Sequence, residues 1–484
     1  MSNEEKYEIV EKTEEIVEND EEISEEDKKA EAKFAKFTEV PVHKLVPTLA
    51  IPSIITMLVT SIYNIADTYF VSQLSQSASG AVGIIFSLMT IIQTLGFTVS
   101  MGCSILMSNE LGNKHFKYAS QILSTGFFSM AIVGCVIMGL GFAFLDPLIM
   151  FLGSTETILP YARTYARCIL VGAPFMMTSY VMNTTLRSQG NALLSMTGLA
   201  SGSLLNIFLN PLLMFGFNLG IFGAGLATLI GQILSFTILF CQCKYNKRAL
   251  SIEIKDFKPS FSLYGRILKC GMSNFFRQGL GSVASITLNN FANPYGDPAI
   301  AAISIVSRIM MFITSAFTGY GQAFQTVAGY NYGAKRYDRV LQAFWFTIKS
   351  GLVCVSVFAV IGTVFSTEII SLFRKGDMEV IEIASFMLRL QCMTLPLQAI
   401  TTISNMGSQC IGYSYRATIL ASARQGIFFF PTLFIGTAFF GLRGIQVTQA
   451  ISDVCASIFC VIVMSTILKE VDEKRKAELE KVKL

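Results

Sequence analysis

Asp67 stands in the run Tyr63-Asn64-Ile65-Ala66-Asp67-Thr68, about twenty residues into a long apolar segment that carries Pro47 and Pro52 near its start. Tyr63 and Asp67 are four apart and share a helix face, where a phenol can donate to the carboxylate and a proton or a cation can neutralise it. A carboxylate at membrane depth is costly and calls for a functional reason. The competing reading is an ordinary helix-end acid at the outer headgroup level. Phe70 and Val71 follow before the polar Ser72-Gln73 break, which favours the deeper placement. Asn206 and Asn210 repeat the four-residue spacing in Asn206-Ile207-Phe208-Leu209-Asn210-Pro211. Their amide oxygens can accept from a protonated acid or ligate a hard cation. The same pair would also serve as polar glue between helices. Gly198 and Gly202 form a GxxxG that reads as close helix packing.

These residues need elements to position them, and composition says which. Of 484 residues 52% are hydrophobic and 14% charged, with a mean hydropathy of +0.54. Fifteen of the 33 acids lie in residues 1–40. Further on, basic residues cluster in short polar breaks between apolar runs long enough to cross a bilayer. This predicts an all-α polytopic membrane protein, because lipid offers no partners to backbone groups and the runs are too long and uniform for barrel strands. Twelve transmembrane helices are expected, at 45–70, 80–107, 118–144, 159–183, 191–215, 221–243, 265–291, 299–327, 340–365, 379–406, 414–438 and 442–468. One set of alternate breaks, which includes Lys114, Lys117, Arg187 and Arg416, holds 25 Lys and Arg. The other set holds only Arg374, Lys375 and Arg443. The positive-inside rule therefore places both termini in the cytoplasm.

The chain is also written twice. Shifted by about 221 positions, Gly112-Asn113-Lys114 meets Gly333-Ala334-Lys335, and Arg167, Pro174, Gly190, Gly220 and Gly223 meet Arg389, Pro396, Gly412, Gly441 and Gly444. Six spans per copy give the copies one orientation, a parallel internal repeat whose interface would enclose a central site. The expected units are an acidic cytoplasmic tail at 1–44, a first six-helix bundle at 45–243, a linker at 244–264, a second bundle at 265–468 and a basic tail at 469–484. The charge is not duplicated with the scaffold: at an offset of 222 Asp67 falls on Asn289.

Other function classes lack their signatures. Eleven cysteines are scattered, with Cys241-Gln242-Cys243 the only close pair, and there is no CxxC, HExxH or Walker loop. A secondary transporter without cofactor is expected, rather than an enzyme or an ATP-driven pump, and no nucleic-acid partner. No secretory signal is expected at the acidic start. Basic residues within spans, Arg163, Arg167, Arg308 and Arg389, read as interface anchors or partners for outer acids such as Asp146 and Glu368. Arg277, Lys349 and Arg424 have no partner visible in the sequence.

Pro52 with Tyr63-Asn64-Ile65-Ala66-Asp67-Thr68, Arg187-Ser188-Gln189-Gly190-Asn191, Asn206 to Pro211, Gly220 to Thr228 and Gly329-Tyr330-Asn331-Tyr332-Gly333-Ala334-Lys335 together resemble the multidrug and toxic compound extrusion (MATE) transporters. The likeness covers about 45–468 and falls within their bacterial DinF/MepA-like branch. It implies two six-helix lobes in a V, alternating access, and export of organic cations in exchange for Na⁺ or H⁺ across a bacterial plasma membrane, by a monomer. It also implies an ion-coupling site of Asp67, Asn206 and Tyr63 with Thr228 and Tyr165 nearby. Asn210 departs from the Asp common in that branch, and 265–291 lacks the acid some relatives carry, so one cation per cycle is expected. A lipid-linked oligosaccharide flippase of the same superfamily, or a scaffold or sensor working through the acidic tail, are the competing functions.

Overall fold

The computed structural model describes residue 31 and residues 34–245, 250, 252–373 and 377–483. The expectations for residues 1–30 of the acidic tail and for Arg374 and Lys375 lie outside the described residues. Twelve long helices succeed one another. The first six are Val42–Ser72, Gln76–Gly112, Phe116–Ala143, Leu159–Ser188, Ala192–Pro211 with a π turn at Leu212–Gly216, and Gly220–Tyr245. The second six are Phe261–Ala292, Asp297–Gly333, Tyr337–Val364, Met378–Cys410, a helix broken by a π turn, and Leu442–Lys483. That broken eleventh helix runs Ser414–Ser422, Ala423–Ile427 and Phe429–Phe440.

Among the described residues ten helices are long and apolar enough to cross a membrane by length and composition alone. The fourth and seventh are not among them. They carry Arg163, Arg167, Asn183 and Arg187, and Arg266, Lys269, Asn274 and Arg277, polar groups that lipid would reject and protein neighbours can satisfy. Two short helices, Leu145–Phe151 and Ser366–Phe373, follow the third and ninth spans. They start one repeat apart and were not expected from the sequence.

The repeat is visible in backbone geometry. Lys114 and Lys335 have φ of 63° and 57°, Gly190 and Gly412 of 80° and 88°, and Gly220 and Gly441 of 55° and 56°. After each of the first four, the next N–H returns to a helix carbonyl five residues back: His115 to Glu110, Asn191 to Leu186, Arg336 to Asn331 and Tyr413 to Ser408. This left-handed cap satisfies the last carbonyls of a helix, and glycine adopts it without strain.

The two six-helix bundles make a V. One core joins the first bundle to one end of the second, including Phe324, Tyr330, Phe344 and Ile411; a separate core, around Ile303, Leu388 and Leu433, fills the second bundle's other end. Where the bundles meet, main chain touches main chain. A Cβ on Gly102 would lie 2.1 Å from the carbonyl oxygen of Ile267, one on Gly271 2.0 Å from that of Thr98, one on Gly112 2.1 Å from that of Tyr330, and one on Gly333 2.0 Å from that of Asn109. Only glycine fits such a seam. Ahead of the first span, Phe37 stacks on Tyr330 with ring centroids 4.4 Å apart, and Arg339 donates to the Val40 carbonyl at 2.5 Å. The joined end is the one with the basic breaks. Arg187, expected in such a break, is instead 3% exposed in the last turn of the fourth span and donates across the seam to Gln322 Oε1 at 2.6 Å.

Candidate functional site

Asp67 lies in the eighth turn of the first span and is 8% exposed. Its Oδ2 accepts from the Tyr165 hydroxyl of the fourth span at 3.1 Å, and its Oδ1 from Asn210 Nδ2 of the fifth span at 2.7 Å. No cationic side chain among the described residues pairs with it. Tyr165 reaches this point because Gly225 lets the sixth span close on the fourth: a Cβ there would stand 3.0 Å from Cys168 Cβ and 3.4 Å from the Tyr165 ring. Asn210 immediately precedes Pro211 and the π turn. Proline removes one ladder hydrogen bond, and the wider turn accommodates the break at the position that aims the amide.

Asn206, one turn earlier, donates through Nδ2 to Thr228 Oγ1 of the sixth span at 3.1 Å. Asn206 Oδ1 and Asn210 Oδ1 are both buried without a hydrogen-bond partner among the described residues. Buried polar atoms are nearly always satisfied, so two neighbouring orphan acceptors beside a carboxylate are a chemical demand for a donor or a cation. The structure thus brings Asp67, Tyr165, Asn206, Asn210 and Thr228 together. It revises one detail. The phenol that donates to Asp67 is Tyr165 rather than Tyr63; the Tyr63 hydroxyl lies within electrostatic reach of Asp67 and of the Thr228 hydroxyl. All ligating atoms on offer are oxygens, the donor set of a hard cation or a proton. No group of three or more His, Cys, Asp or Glu occurs among the described residues.

A second polar centre escaped the sequence reading. Asp453, 1% exposed in the twelfth span, accepts from Arg424 Nε at 2.6 Å and Gln449 Nε2 at 3.0 Å on Oδ1, and from Gln398 Nε2 at 3.0 Å and Thr394 Oγ1 at 3.2 Å on Oδ2. The signal was present: Gln446, Gln449 and Asp453 at spacings of three and four place polar groups on one face of an otherwise apolar helix. Other expected basic residues resolve plainly. Arg163 holds Asp146 with two hydrogen bonds of 2.8 and 2.7 Å, whereas Arg389 donates to the hydroxyls of Ser366 and Thr367 and not to Glu368. Gly198 and Gly202 press against Leu239 and Gly231 of the sixth span, as a packing motif should.

Residues 52–212 and 275–438, one stretch in each half, match the MatE family model. The chain belongs to the MatE family. It is 26% identical over 431 residues to the multidrug export protein MepA of Staphylococcus aureus (strain bovine RF122 / ET3-1), covering 88% of this chain and 94% of that protein. To MepA of Staphylococcus haemolyticus (strain JCSC1435) it is 27% identical over 431 residues, covering 89% and 95%. Among solved structures, a MATE in complex with MaL6 superposes with a TM-score of 0.86 at 24% identity, covering 91% of this chain and 99% of that one. The outward-facing conformation of a multidrug resistance MATE family transporter of the MOP superfamily gives 0.85 at 24%, covering 91% and 98%. These superpositions establish the twelve-helix, two-bundle membrane fold, and the family is one of transporters, not enzymes.

Proposed function

We propose that this MatE-family protein is a secondary antiporter that exports organic cations and other drugs in exchange for one Na⁺ or H⁺ per cycle, with Asp67 as the coupling residue. The observation that carries the reading is a buried carboxylate answered only by neutral donors, with the orphan oxygens of Asn206 and Asn210 beside it. An ionised acid in that setting costs several kcal/mol. Cation or proton occupancy removes the cost, so loaded and empty sites favour different arrangements of the two bundles, and a drug bound between them shifts the same equilibrium. A half-turn of the Asn210 amide exchanges its donor for the orphan Oδ1, which can then accept from protonated Asp67 or ligate Na⁺. Thr228 holds Asn206 in place, and Tyr165 and Tyr63 line the site. Multidrug export by the MepA relatives supports the substrate class. The bundles 45–243 and 265–468 are the moving units. The protein works as a monomer in a bacterial plasma membrane with both termini cytoplasmic.

The test is efflux of a fluorescent cationic dye from proteoliposomes, with Na⁺ and pH gradients imposed separately. Wild type should respond to one gradient, and Asp67→Asn should insert normally yet lose gradient-driven efflux. Full transport by Asp67→Asn would remove the assignment.

A further inference from the structure

The second bundle carries an excess of positive charge that the coupling site does not use. Arg424 is engaged by Asp453, but Arg277, half-buried on the seventh span, has a single hydrogen-bond partner, the side-chain oxygen of Asn274 at 2.6 Å. Among the described residues it makes no ion pair, and its guanidinium lies within electrostatic reach of Arg424. Two guanidinium groups against one carboxylate leave a net positive charge in a poorly solvated place, which is unfavourable until an anion arrives.

An independent observation gives the same sign. Asn274 is 3% exposed, its oxygen is used by Arg277, and its Nδ2 is buried with no acceptor. An orphaned donor next to an unpaired guanidinium asks for an oxygen with negative charge. The backbone is built to hold the cluster: Arg424 lies in the π turn Ala423–Ile427, its carbonyl accepts from Ser452 Oγ at 2.5 Å, and a Cβ on Gly426 of the same turn would stand 2.9 Å from Leu280 of the seventh span. Asn274 continues the face of Ile267 and Gly271 that meets the second span. Beyond it a Cβ on Gly279 or Gly281 would meet nothing within 4 Å, unlike one on Gly271, so the close main-chain seam does not continue at those two positions.

We infer that Arg277, Asn274 and Arg424 form a carboxylate-binding site, which takes the anionic group of amphoteric substrates. This rests on the transport reading above and extends it to drugs bearing both charges. Arg277 and Arg424 would offer guanidinium N–H groups and Asn274 its Nδ2, and Asp453 fixes Arg424 so that its fork is pre-organised.

A matched dye pair tests this: a rhodamine with a free benzoate carboxylate and the methyl ester of the same dye, in proteoliposome efflux and in fluorescence-polarisation binding to detergent-solubilised full-length protein. In Arg277→Gln the acid-to-ester ratio of both rates and affinities should fall at least tenfold, and Arg277→Lys should recover part of it. Equal losses for both dyes would mark Arg277 as structural and overturn the site. Added acetate should compete with the acid dye and not with the ester; equal competition by chloride would assign the cluster to simple anions and overturn a substrate carboxylate. Absence of any dye efflux by wild type would defeat the transport reading, while the binding ratio would still decide the site.

Discussion

Asp67 and Asp453 are both almost completely buried carboxylates in corresponding bundles, but their surroundings differ in charge. Asp453 is matched by Arg424 and closed in by two glutamines and a threonine. Among the described residues Asp67 has a phenol and an amide and no cationic partner. A carboxylate with a permanent counter-charge is finished structure; one with neutral donors is, in the function proposed above, a place for a mobile cation. Duplication thus preserved the scaffold but not the acids, which stand at non-equivalent positions: Asp67 falls on Asn289 of the second copy.

Removing the permanent partner should have the largest effect. Arg424→Met strands Asp453 and should destabilise the purified protein by about 3 kcal/mol, seen as a lowered thermal midpoint, with partial recovery on adding Asp453→Leu. Next comes a contrast of sign. In cation-free buffer Asp67→Asn should raise the thermal midpoint, because it removes an uncompensated charge, while Asp453→Asn should lower it by depriving Arg424 of its partner. Equal signs would dissolve the distinction between the centres. Tyr165→Phe removes one hydrogen bond, worth about 1 kcal/mol, and should slow dye efflux up to roughly tenfold without abolishing it. Deleting residues 1–30, which leaves the Phe37 and Val40 contacts in place, should leave efflux unchanged; loss of function there would favour a tail-driven scaffold.

The spans were readable because a bilayer imposes length and apolarity on each helix, and the repeat because positions such as Gly190 and Gly412 hold backbone that limits residue choice. Asp67, Asn206 and Asn210 were found because intramembrane polarity is rare. What escaped was long-range pairing. Spacing linked Asp67 to Tyr63, while its phenol partner comes from Tyr165, 98 positions away. Arg187 looked like a loop cation, since its destination, Gln322, belongs to the other bundle. Asp453 was overlooked because its partners at Thr394, Gln398 and Arg424 lie on other spans.

The glycine seam that joins the bundles has a consequence for leakage. Side-chain gates flicker as rotamers exchange in picoseconds to nanoseconds, and each flicker can let an ion through. Here Gly102, Gly112, Gly271 and Gly333 set main chain directly against main chain, and no torsion of a side chain opens that barrier. Parting main chain from main chain takes a collective motion, on the microsecond-to-millisecond scale and not that of rotamer exchange.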